Sequence, residues 1–118
     1  MTKCELIQQT LEQAKALEIV VLDVRLLTDM TDYMIIASGT STRHVVSVAR
    51  KVDDALRAEG FKAQGTEGLT DGEWALVDCG DVVTHVMHPK TRAFYALEKL
   101  WLEEFGGQEN VRREMRAR

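Results

Sequence analysis

The chain has 118 residues, 45% of them hydrophobic and 29% charged, with 15 Lys and Arg against 19 Asp and Glu for a formal net charge of −4. A chain of this length suits one domain, burying about 65% of its unfolded surface without help from disulfides or a structural metal. A net acidic composition argues against RNA binding as the main activity, which needs a basic face to displace counterions, and leaves binding to a basic protein electrostatically easy.

The first element is a helix, with Leu6, Ile7, Thr10, Leu11, Ala14 and Leu17 on one side and Gln8, Gln9, Glu12 and Lys15 on the other. Ile19–Leu27 and Tyr33–Ser38 are mostly β-branched or apolar and predict two largely buried strands across a polar turn, Thr28–Asp32. Thr40, Ser41 and Thr42 offer N-caps for a second helix, whose stripe of Val45, Val48, Ala49, Val52, Ala55 and Leu56 runs to Gly60. Phe61–Gly65 reads as a short edge strand, followed by a loop from Glu67 to Gly72. Trp74–Cys79 and Val82–Met87 then form a hairpin across Gly80-Asp81, and a third helix is expected from Pro89 to Trp101. In that helix Phe94, Leu97, Leu100 and Trp101 share one face, and Arg92, Tyr95 and Lys99 a polar one. After Gly106-Gly107 the arginine-containing tail predicts a frayed helix or disorder. The result is an α/β domain over residues 1–101, with one mixed sheet of about five strands and flanking helices, and a polar tail over 102–118.

Few of these elements suit catalysis. The Gly39-Thr40-Ser41 turn between strand and helix resembles a phosphate cradle, but no Asp-x-Asp pair follows it to hold metal ions, so simple helix capping is the favoured reading. His85 and His88 lie three apart on a strand and diverge, so no metal site is expected. Cys4 and Cys79 match no metal-ligand spacing, and Cys79 reads as a small buried hydrophobe. No nucleophilic triad, cofactor motif or catalytic residue stands out. The start MTKCELIQQ has no apolar leader core and no run approaches a membrane span, which predicts a soluble cytoplasmic protein.

The hairpin is the informative segment. Between Gly65 and Pro89 stand Glu67, Asp71, Glu73, Asp78 and Asp81, with no Lys or Arg. Alternation sets Trp74, Leu76 and Asp78 on one face and Ala75, Val77 and Cys79 on the other. A half-exposed Trp beside Leu and acids has the composition of an interface anchor; a Trp at the start of a strand can equally be core.

The strings TDYMIIASGTSTRHV, EWALVDCGDVVTHVM and YALEKLW, in that order, resemble the ribosomal silencing factor family, also called Iojap-related. The match runs from about Leu22 to Trp101, leaving the first helix and the tail outside its distinctive part. The resemblance implies a nucleotidyltransferase-like core without catalytic carboxylates and a binding protein rather than an enzyme. It implies docking on large-subunit ribosomal protein number fourteen, which would block joining of the small subunit and damp translation when nutrients are scarce. A role in large-subunit assembly is the alternative, as for mitochondrial and plastid relatives; residual nucleotide binding is another. Carried over to this chain, the partner-binding residues are Trp74, Leu76, Asp78, His85 and Met87, with Arg92 and Tyr95 added from the last helix. A homodimer through the exposed Phe61–Gly65 edge is a further expectation. Ribosomal RNA is expected to be at most a peripheral partner, through the Arg112–Arg118 tail.

Overall fold

A computed structural model of the protein describes residues 1–61, 64–96 and 112–116. Along the chain come α1 (Lys3–Gln13), β1 (Leu17–Asp23), β2 (Tyr33–Ser38), α2 (Thr42–Ala58), β3 (Gly65–Glu67), β4 (Trp74–Asp78), β5 (Val82–Met87), α3 (Pro89–Tyr95) and β6 (Arg112–Arg116). The strands form one mixed sheet in the order β3-β4-β5-β2-β1-β6. Its central pair, β2 and β5, is parallel, and the other pairs are antiparallel.

Continuous apolar runs in β1 and β2 bury both faces of the sheet, as expected of strands without polar alternation. On one face α1 and α2 pack over Ile19, Val21, Ile35, Ala37, Ala75, Val77, Val82 and Val86, meeting them with Ile7, Leu11, Val45, Val48, Val52 and Leu56. Each such side chain contributes about 1.5–3 kcal/mol when fully withdrawn from water. The opposite face carries a second cluster of Val20, Leu22, Val24, Met34, Ile36 and Met87, with Leu27 and Trp74 against it.

Local chemistry sets the boundaries. Thr2 caps α1 in a reciprocal capping box with Glu5. The helix stops at Gln13 rather than continuing to Leu17, because Lys15, just past the Ala14 cap, takes a left-handed conformation (φ 64°). Leu17 therefore starts β1 and is exposed. β1 also ends four residues before the predicted Leu27: Arg25 turns back onto Asp23 at 2.6 Å, and the Leu27 amide donates to the Val24 carbonyl. α2 closes as expected on Gly60, whose φ of 82° lets the Phe61 amide reach the Leu56 carbonyl.

Three expectations need correction. The edge strand is Gly65–Glu67, not Phe61–Gly65, because Phe61 belongs to the helix cap and packs into the first core. α3 ends at Tyr95, where Ala96 turns left-handed (φ 48°). The predicted continuation over residues 97–101, with the Leu97, Leu100 and Trp101 face, lies outside the described residues. Part of the tail is neither frayed helix nor disordered: Arg112–Arg116 pairs antiparallel with β1. β2 covers only one edge of β1, and the backbone of this polar segment satisfies the N–H and C=O groups of the other, a pairing that depends little on side-chain composition.

Candidate partner-binding face

β4 alternates as its sequence requires. Ala75 and Val77 are fully buried against the helices, while Trp74, Leu76 and Asp78 are half-buried on the opposite face. Pairing with β5 places Trp74 opposite Met87, Leu76 opposite His85 and Asp78 opposite Val83. Five of the residues anticipated from sequence therefore share one face.

They do not share one role. The Trp74 indole N–H donates to His85 Nδ1 at 2.9 Å, and the rings lie 5.9 Å apart, tilted by 50°. An indole only donates, so Nδ1 must be the unprotonated ring nitrogen. His85 is only 7% exposed, and burial pushes its pKa down to about 4. It is neutral at pH 7 and holds the indole instead of offering charge. Met87 is fully buried beneath them. The accessible part of the face is thus the Trp74–Leu76–Asp78 row, with His85 and Met87 as its support.

Arg92 departs from the exposed polar face expected of it. It is 8% exposed, and its Nη1 donates to Ser38 Oγ at 2.9 Å. α3 has turned this side toward the end of β2, so Arg92 joins helix to sheet. Tyr95 closes α3, but its side chain lies outside the described residues. The acids also fail to form one patch. Asp81 is bound to Lys3 of α1 at 2.8 Å, Asp78 accepts the Gly80 amide at 2.9 Å to shape the hairpin turn, and Glu73 accepts the Thr91 hydroxyl at 3.0 Å.

The remaining sequence candidates have structural explanations. Ser41 caps α2 by accepting the His44 amide at 3.1 Å, and the Thr40 amide donates to His44 Nδ1 at 2.9 Å. A Cβ on Gly39 would lie 2.8 Å from the Val45 side chain, so the turn closes on its own helix, and the Gly39 amide is taken by the Met87 carbonyl at 3.1 Å. His44 Nε2–H reaches across to the Ala14 carbonyl at 2.8 Å, joining the end of α1 to the start of α2. His88 caps α3 by accepting the Lys90 amide. Among the described residues no group of His, Cys, Asp and Glu is placed to hold a metal ion, and no helix is long and apolar enough to cross a membrane.

Sequence reasoning missed the buried middle of this face, Val20, Leu22, Met34 and Ile36. Its signal was the lack of polar alternation in β1 and β2, which implies cover on both sides.

A mixed sheet with helices on one face and an aromatic–aliphatic row at the rim of the other defines a small α/β binding domain. The chain belongs to the ribosomal silencing factor family: the model of the family described as "Ribosomal silencing factor during starvation" matches residues 2–118, first helix and tail included. The family is regulatory and non-enzymatic, and its function is ribosome-associated. The chain is 44% identical over 100 residues to a ribosomal silencing factor of Chromobacterium violaceum, covering 85% of this chain and 79% of that one. It is 37% identical over 108 residues to a Mus musculus protein named for mitochondrial assembly of the ribosomal large subunit, covering 88% of this chain and 47% of that one. A crystal structure from Chromobacterium violaceum superposes with a TM-score of 0.83 at 42% identity, covering 90% of this chain and 85% of that one.

Proposed function

We propose that this protein binds the large ribosomal subunit through large-subunit ribosomal protein number fourteen and, once bound, occupies space that the small subunit needs. The observation that carries the reading is the half-buried Trp74, fixed in orientation by a neutral, buried His85 beside the accessible Leu76. A rigid aromatic anchor with an aliphatic neighbour is the composition of an interface hot spot, because it gains contact area with little ordering cost. The acidic balance of the chain favours encounter with a basic ribosomal protein. Steric exclusion requires neither turnover nor a cofactor.

The test is sedimentation of purified subunits mixed with the protein, before and after magnesium-driven joining. Wild type should co-migrate with the large subunit and deplete the joined peak, and Trp74→Ala and Leu76→Ala, checked for folding by circular dichroism, should do neither. Full activity of both folded variants would remove this face from consideration. A role in large-subunit assembly is the second reading, favoured by the name of the Mus musculus relative. It predicts binding to immature particles without depletion of the joined peak.

A further inference from the structure

A second feature lies on the helix-covered side of the sheet. The outer surface of α2 and the loop before β4 enclose an open groove of about 580 Å³. Arg43, Arg50 and Lys51 line it together with the hydroxyls of Ser47 and Thr70, over an apolar floor of Val46 and Leu69. The three cations are exposed, and among the described residues none of them has an ion-pair partner. Three other cations of the domain are ion-paired, Lys3 with Asp81, Arg25 with Asp23 and Arg57 with Asp53, while the exposed Lys15 and Lys90 stand singly, away from this cluster in sequence. Of the two carboxylates one turn beyond Arg50, Asp53 therefore holds Arg57, and Asp54 pairs with neither Arg50 nor Lys51. Positive charge is concentrated here in a chain whose net charge is −4.

The loop wall is preformed. Gly72 has φ +72° and packs so closely on α2 that a Cβ would lie 2.4 Å from the Thr42 carbonyl oxygen. Gly68, φ +77°, is pressed equally hard against the Trp74 carbonyl. Arg43 and Arg50 stand seven residues apart on the helix, about 10 Å along its axis. That separation lets the two guanidiniums meet different phosphates of one strand rather than converge on a single one. Cations spread along a line, interspersed with hydroxyl donors, suit successive phosphodiesters. A single phosphorylated side chain needs convergent cations instead. A lipid surface calls for apolar residues around the charge, but the strongly exposed Leu26 and Met30 lie in the β1–β2 loop, at the opposite end of β2 from α2.

We propose that this groove binds the sugar–phosphate backbone of an RNA strand. The contact stands apart from the Trp74 face, on the other side of the sheet, so both can be engaged at once. The experiment is fluorescence anisotropy of the full chain with a short labelled single-stranded RNA across a salt series. Three phosphate contacts give a log–log salt slope of about −2, or about 20-fold weaker binding between about 50 and about 200 mM salt. Arg43→Gln/Arg50→Gln/Lys51→Gln should flatten that slope toward zero, and Trp74→Ala should keep it, so that the groove and the docking face are judged separately. The proposal is overturned if wild type does not bind RNA at low salt, or if the triple variant matches wild type. It is equally overturned if neutralising Arg112, Arg113, Arg116 and Arg118 removes the slope instead, or if phosphatidylserine vesicles bind and RNA does not.

Discussion

Replacing His85 with Gln gives a test of the Trp74 seat that needs no ribosome. The imidazole is buried and its pKa is held down to about 4, against 6.5 when unperturbed, so the folded state resists the proton that the unfolded state accepts. Stability from the neutral, buried ring is therefore fully present above pH 6.5 and is lost as pH falls toward 4. The loss is about 1.4 kcal/mol per pH unit in that window, about 3 kcal/mol across it. Gln can still accept the indole N–H but does not titrate. At pH 7 the variant should be less stable by about 1 kcal/mol, the value of one imperfectly remade hydrogen bond. Near pH 4 the order should invert, with the variant more stable than wild type. Urea unfolding at stepped pH measures this directly, since carboxylates titrating in the same range affect both proteins alike and cancel in the difference. Parallel stability curves for the two proteins would refute the argument that a buried, neutral His85 holds Trp74.

Three other substitutions probe the frame around the two faces. Gly72→Ala forces a side chain into a left-handed position and against the Thr42 carbonyl, and should cost about 2 kcal/mol and lower Tm by about 8 °C in calorimetry. His44→Ala removes the bond to the Ala14 carbonyl that ties α1 to the start of α2 and the local bond from the Thr40 amide, and should cost about 1–2 kcal/mol, with faster exchange of the Thr40 amide by NMR. Thr2→Ala breaks the capping box, and should cost about 1 kcal/mol and expose the Glu5 amide to exchange while the sheet amides stay protected.

What the sequence revealed was whatever depends on local pattern. The Val45–Leu56 stripe, the Gly60 cap and the alternation through Trp74–Cys79 each follow from a single helical or extended period, and the structure has them. β1 was misplaced because Val24, Leu26 and Leu27 are as apolar as the strand itself, and the turn there depends on Arg25 folding back onto Asp23. Arg92 was misread for a similar reason. Spacing shows which residues share a side of a helix but not which side meets the sheet, and Ser38, the partner that decides it, is 54 positions away. The pairing of Arg112–Arg116 with β1 is non-local in the same sense. On the site, Trp74 and Leu76 could be read from alternation. The supporting roles of His85 and Met87 could not, because burial on that face comes from distant strands.

The position of β5 also bears on how the protein comes into being. β4, which carries Trp74, is joined to β1 and β2 only through β5, the strand made after it. A nascent chain that ends before Val82 holds α1, α2 and the first four strands but no seat for the indole, since His85 and Met87 have yet to be added. The Trp74–Leu76–Asp78 row therefore has no support until β5 is in place. On the function proposed above, the protein gains its ribosome-facing surface only after Val82–Met87 has been made and paired.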